Sequence, residues 1–148
     1  MKFASLRKTF ITASILVTAG HMDFTLAHSV SASIGAGSVN TGSSDLAVVT
    51  CAPGTDYFEA QIRDVASPVP GLLVNLHIVK GTQMKTIADT VSGDANYTPF
   101  IRVNGGPGIY YIAATTTTAG TRVFDLNYHC QANNGDHPET DIAVLQVE

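Results

Sequence analysis

The fold is decided by the stretch RVFDLNYHCQ, residues Arg122–Gln131. Apolar side chains alternate along it with polar ones, and this period of two residues is that of a β-strand with one buried face. Cys130 falls on the apolar face, so the alternation predicts that its sulfur points into a core. The polar side chains of this strand and of Tyr57–Arg63 lie on faces that we expect to be wet. These side chains are Asp125, Asn127 and His129 in the first stretch, and Tyr57, Glu59, Gln61 and Arg63 in the second.

The rest of the chain repeats this pattern in short pieces. Only 14% of the residues are charged, Thr and Val are frequent, and no sustained 3.6-residue period is present, so the sequence favours an all-β domain. Turn clusters of Gly, Pro, Asn and Asp separate the pieces at regular spacing, which is typical of an antiparallel β-sandwich of jelly-roll or immunoglobulin-like type. The predicted strands are Ser29–Ile34, Leu46–Cys51, Tyr57–Arg63, Leu72–Lys80, Lys85–Thr90, Thr98–Val103, Ile109–Thr116, Arg122–Gln131 and Ile142–Val147.

The first 27 residues have the layout of a secretory signal peptide. A cationic start is followed by the apolar run Phe10–Gly20 and by small residues at Thr25 and Ala27. The apolar run is too short to span a bilayer. We therefore predict a signal peptide over residues 1–27 and one domain over residues 28–148, secreted or periplasmic and without membrane insertion. Cleavage after Ala19 is the competing alternative.

Two cysteines in an exported chain favour a disulfide over metal ligation. Cys51 and Cys130 are the only pair, and alternation places both on apolar strand faces. The bridge would join an early strand to a late one. Two separate buried thiols are the alternative.

The charge balance of residues 28–148 excludes one class of partner. Five basic residues stand against eleven acidic ones, and a net charge of this sign repels a phosphate backbone, so we expect no nucleic-acid binding. The sequence carries no HExxH, G-x-S-x-G or P-loop motif. We accordingly predict a non-catalytic binding or structural module.

Three segments resemble the bacterial pre-peptidase C-terminal domain family: Thr55–Ala60, Leu72–His77 and Asn104–Ile112. The first is similar to the aspartate-aromatic strand opening of that family, and the third to its strand with a glycine followed by a tyrosine pair. The resemblance implies a small jelly-roll, an accessory role in secretion, stability or binding of extracellular polymers or proteins, and in some members calcium.

The histidines suggest a metal site. If cleavage follows Ala27, His28 supplies its α-amine and a ring nitrogen to one metal ion, and a second imidazole completes an N₃ set suited to copper. This arrangement resembles the histidine brace of copper carriers and copper monooxygenases. We predict His129 or His137 as the second ligand, with Asp136 as an axial or outer partner.

Two further possibilities remain open at this point. Calcium is a less favoured cofactor, through Asp89 and Asp94 or through the acidic cluster that follows the last turn, because neither matches a dedicated calcium loop. Ordinary turn carboxylates are the simpler interpretation. The residues of the acidic cluster are Asp136, Glu139 and Asp141.

Self-association into a fibre or surface layer is suggested by low charge and Thr-rich strands that could pair at their edges.

Overall fold

The computed structural model describes residues 28–37 and 42–148. The predicted signal peptide and both of its possible cleavage sites lie outside the described residues. All nine predicted strands are present, with ends that differ from the predicted ones by three residues or fewer. The strands are β1 (His28–Ile34), β2 (Ser44–Cys51), β3 (Tyr57–Asp64), β4 (Val74–Lys80), β5 (Gln83–Asp89), β6 (Ile101–Val103), β7 (Gly108–Thr116), β8 (Arg122–Gln131) and β9 (Thr140–Gln146).

The strands form two antiparallel sheets that pack face to face. Sheet A has the order β1-β8-β3-β6, and sheet B has the order β5-β4-β7-β2-β9. The first eight strands follow the path of one long antiparallel hairpin that is folded over into two layers. Its strand pairs are β1–β8, β2–β7, β3–β6 and β4–β5. This pairing is that of a jelly-roll, so the topology decides between the two sandwich types that the sequence left open.

The core lies between the sheets and follows the period-two alternation. In β8, the apolar face predicted from the sequence is buried, and Cys130 lies on it with 0% exposure. In β4, every second side chain is buried and His77 points to the outer face, where it is half-buried. The inward side chains of these two strands are Phe124, Leu126, Tyr128 and Cys130 of β8, and Val74, Leu76 and Ile78 of β4.

A disulfide joins the two sheets. Cys51 ends β2 in sheet B, Cys130 lies near the end of β8 in sheet A, and their Cα atoms are 5.6 Å apart. The predicted pairing is therefore confirmed, and the alternative of two free thiols is wrong, since no free cysteine remains. The bridge fixes the end of β8 against the end of β2.

The outer face of sheet A is less wet than the alternation predicts. Glu59 and His129 are each only 8% exposed, and the other polar side chains of this face are half-buried. The reason is lateral cover: Arg102 forms an ion pair with Glu59 (2.9 Å), and the ring of Phe100 lies 5.8 Å from that of His129. The expectation of a solvated face is wrong at these two positions.

Within the described part of the chain, no helix has the length and apolar character needed to cross a bilayer.

Candidate metal centre

His129 is positioned by the middle of sheet A. It is the eighth residue of β8 and lies opposite Glu59 of β3 in the strand register. Its side chain is more than nine-tenths buried, and its Nδ1 atom has no hydrogen-bond partner. A buried polar nitrogen without a partner is destabilising, and a partner outside the described residues, such as a water molecule or an ion, would relieve that cost.

His28 reaches the same region from the edge of the sheet. It is the first residue of β1, lies opposite Tyr128 in the register, and stacks on the Tyr128 ring with 5.7 Å between ring centroids. Residues directly opposite in an antiparallel pair share a face, so His28 and His129 leave sheet A on different faces. They still border one cavity, because β8 continues beyond the His28–Tyr128 pair and no described residue of β1 pairs with its last three residues.

His137 is brought in by the connection between β8 and β9. The backbone N–H of Ala132 donates to the carbonyl of Asp136 (3.0 Å), which closes the loop into a compact turn. The loop is then fixed at its far end, where the N–H of Cys130 donates to Oγ1 of Thr140 (3.0 Å). As a result, the rings of His137 and His129 meet edge to face, with centroids 5.7 Å apart.

The three histidines line one cavity of about 430 Å³, although they come from three separate stretches of sequence. The cavity lies at the end of β8, directly beside the disulfide. Its lining consists of His28, His129, Cys130, His137, Pro138, Glu139 and Thr140.

The electrostatics of the cavity favour a neutral imidazole at His129. Burial lowers the pKa of His129, and the neighbouring His137 and His28 lower it further, whereas the carboxylate of Glu59 acts in the opposite direction. A lowered pKa keeps the ring uncharged near neutral pH, which is the form that binds a metal ion. Glu59 does not compete for this ion as a free anion, because Arg102 is paired with it.

The spacing of His129 and His137 is compatible with a shared ion. At a metal–nitrogen distance of about 2.0 Å, each ring centroid lies roughly 3.2 Å from the metal, so two ligating rings are at most about 6.4 Å apart. The observed 5.7 Å lies within this limit. Side-chain rotation about His137, which is exposed, leaves room to adjust this distance.

The structure does not present a complete set of side-chain ligands. Among the residues it describes, no three His, Cys, Asp or Glu side chains are grouped in a way that would hold a metal ion. The predicted outer partner Asp136 lines the neighbouring cavity of about 550 Å³ rather than the histidine cavity. Its carboxylate accepts a hydrogen bond from Nδ2 of Asn134 (2.7 Å). A metal in the histidine cavity would therefore need a ligand besides these side chains.

The carboxylates of Asp89 and Asp94, which the sequence suggested as calcium ligands, accept hydrogen bonds from neighbouring residues of the fold. Asp89 is 5% exposed and accepts hydrogen bonds from the backbone N–H groups of Asp64 and Val91. The carboxylate of Asp94 is engaged by Asn96 through its backbone and its side chain. Asp89 is thus a buried structural group, which differs from the solvated turn carboxylate that the sequence suggested.

Sequence reasoning missed two contributors to the site. Glu59 was placed on a wet face, and its burial depends on Arg102 of a strand that is distant in sequence. Phe100 lies within the predicted strand Thr98–Val103 and just before β6, and no signal in the sequence points to its contact with His129.

Comparison with known proteins assigns the chain to no family: no family model matches it, and no curated protein or solved structure is significantly similar to it.

Proposed function

We propose that the exported protein is a non-catalytic copper-binding module whose site is the histidine cavity. The observation that carries this proposal is the meeting of His28, His129 and His137 on one cavity, where Nδ1 of His129 is buried without a partner. The disulfide and the jelly-roll fold are compatible with an extracellular location, but they do not by themselves indicate what the protein binds.

Cleavage after Ala27 would supply the missing ligand. It frees the α-amine of His28, so that one residue offers an amine and an imidazole at the edge of the cavity, and only one further imidazole is needed. His129 is the best second ligand because its side chain lines the cavity, and the exposed His137 is a third candidate. A set of three nitrogens in a T-shaped arrangement suits Cu(II), which prefers tetragonal geometry and nitrogen ligands.

Three features support binding without turnover. Glu59, the buried acid nearest to His129, is held in an ion pair. Both cysteines are bonded to each other, so neither is a nucleophile. The single carboxylate among the residues that line the cavity, Glu139, is exposed to solvent. Reproducible turnover of a substrate by the purified protein would contradict this part of the proposal.

The test begins with the protein exported from its own leader. N-terminal sequencing and intact mass determine the cut, and Cu(II) affinity is measured by competition with a chelator while electron paramagnetic resonance reports the nitrogen ligands. We expect one Cu(II) per chain, bound through nitrogen.

Variants separate the brace from adventitious binding. Adding one residue before His28, or the substitution His28→Ala, removes ligands and should weaken binding roughly 100-fold or more, given that a four-ligand zinc site is worth 10–16 kcal/mol. His129→Gln should act similarly. His77→Gln is the matched control, because His77 lies on the outer face of sheet B and bonds to Thr86 and Thr115. Equal affinity of the extended form would refute the brace.

A further inference from the structure

A third, mostly apolar cavity opens between the two sheets, along the side where β1 and β9 are the edge strands of the described sheets. It has a volume of about 230 Å³ and is bounded by β1 of sheet A and β9 of sheet B. Of the fourteen residues that line it, only Ser33 and Asp45 are polar. The cavity is independent of the histidine site, with which it shares no lining residue.

Small side chains create this space. Ala32, Ala47 and Ala114 all line the cavity and pack at the margin of the core, one each from β1, β2 and β7. Native interiors are packed to the density of organic crystals, with few voids larger than a water molecule. Three alanines in the lining therefore leave a gap that the described residues do not fill.

The mouth of the cavity is also apolar. Val30 is 38% exposed, Val144 is 66% exposed and Val147 is 67% exposed, and all three line it. Exposed apolar residues that surround an apolar cavity mark a binding site more often than scattered ones do. A cavity with such a lining stays dry and takes up hydrophobic molecules.

The charges at one end select among amphiphiles. The carboxylate of Asp45 lines the cavity, and Glu148 lies beside it, since its backbone N–H donates to Oδ1 of Asp45 (3.0 Å). Burial raises the pKa of Asp45, the hydrogen bond from the Glu148 N–H lowers it, and the nearby Glu148 charge raises it again. Two acidic residues therefore lie at this end of the cavity. An anionic head group would meet repulsion at this end, whereas a cationic or uncharged one would not.

We propose that this cavity binds a single linear alkyl chain of an amphiphile whose head group is uncharged or cationic. A methylene group has about the volume of a water molecule in the liquid, roughly 30 Å³, so about eight carbons fill the space. The lining follows β1 from Val30 to Ser33 and β9 from Ile142 to Val144, and an apolar surface that runs along two strands suits an extended chain. The head group then lies at the mouth, near Asp45.

The test uses alkyl β-D-glucosides of four to ten carbons, each kept below its critical micelle concentration, with the mature protein. Binding is followed by calorimetry. Each added methylene should strengthen binding about fourfold, which corresponds to about 0.8 kcal/mol, up to about eight carbons. Beyond that length the affinity should level off. At eight carbons, the trimethylammonium amphiphile should bind at least as tightly as the glucoside, and the sulfate more weakly than both.

Filling the cavity should abolish this binding. Ala47→Leu places a larger side chain into the space, and Ala32→Leu does so from the other sheet if the first variant folds poorly. Ala143→Leu is the matched control, because Ala143 is exposed and does not line the cavity. Unchanged binding in a folded Ala47→Leu or Ala32→Leu variant would overturn the proposal. An affinity that does not depend on chain length would also overturn it. The same holds if sedimentation shows a dimer that does not bind octyl glucoside, since a second copy of the protein would then occupy the cavity.

Discussion

Replacement of Arg122 by methionine tests whether the buried ion pair between Arg122 and Asp64 is required for folding. Arg122 is 1% exposed, and its guanidinium lies against Asp64, which is fully buried, with Nε 2.7 Å from Oδ2. The same guanidinium donates to the carbonyls of Ser67 (2.8 Å) and Ala66 (2.9 Å). One side chain thus satisfies a buried carboxylate and two carbonyl groups of the loop that follows β3.

The magnitude follows from what the substitution leaves behind. Methionine has a similar volume, so the cavity term is small, and the main cost is a buried carboxylate that has lost its cation. Removing one member of a buried ion pair costs about 3–5 kcal/mol. Asp64 keeps a hydrogen bond from the N–H of Ala66 (3.0 Å), which places the expected loss toward the lower end of this range. For a domain of this size, 3 kcal/mol lowers Tm by roughly 12 °C.

The assay is urea denaturation of the purified mature protein, monitored by circular dichroism, with the disulfide intact. Asp64→Leu provides the complementary single variant, and combining the two substitutions should recover most of the loss, because no unpaired charge then remains. A loss below 1 kcal/mol for Arg122→Met, or two single losses that simply add in the double variant, would refute the assignment of this pair as a coupled buried unit.

Three other perturbations have defined outcomes. Burial lowers the pKa of both His77 and His129 below the ordinary 6.5, so the unfolded chain binds more protons than the folded one in mild acid. Tm should therefore fall as the pH drops below about 6.5, and less steeply in His77→Gln. A Tm that rises or stays constant between pH 7 and 5 would contradict this. Replacing Cys51 and Cys130 together by serine should lower the free energy of unfolding in urea by roughly 4 kcal/mol, since the two cysteines are 79 positions apart in sequence. A decrease under 1 kcal/mol would show that the unfolded chain is already constrained. In Gly42→Ala the new Cβ would lie 1.9 Å from the carbonyl oxygen of Thr116, so we expect the free energy of unfolding to fall by about 1–3 kcal/mol. An unchanged Tm would show that this close approach relaxes freely.

The strands and the disulfide could be predicted from the sequence because both depend on a local period. In β8 the alternation alone fixes which side chains point inward, and Cys130 is one of them. The same logic works for Cys51 at the end of β2. A bridge between two inward sulfurs then requires only that the two strands lie in facing sheets, which a sandwich supplies.

The histidine cavity could be predicted only in part, because it depends on which strands are neighbours. His28 and His129 are a hundred residues apart, and they approach only because β1 pairs with β8 in the jelly-roll. Two sandwich topologies were open from the sequence, and the immunoglobulin-like one does not require this pairing. The burial of Glu59 has the same origin, since Arg102 reaches it across the β3–β6 pair.

The strand β1 links the two proposed sites. Its first residue borders the histidine cavity, and its middle residues Val30 and Ala32 line the apolar cavity. Among the described residues, the strand pairs on one side only, with β8. An edge strand paired on a single side opens more readily than a central strand, since fewer hydrogen bonds and contacts retain it. A ligand that fastens either end of β1 to the rest of the sandwich would therefore stabilise the position of the other end. This makes the free edge, rather than the packed centre of the sandwich, the part of the fold on which both binding proposals depend.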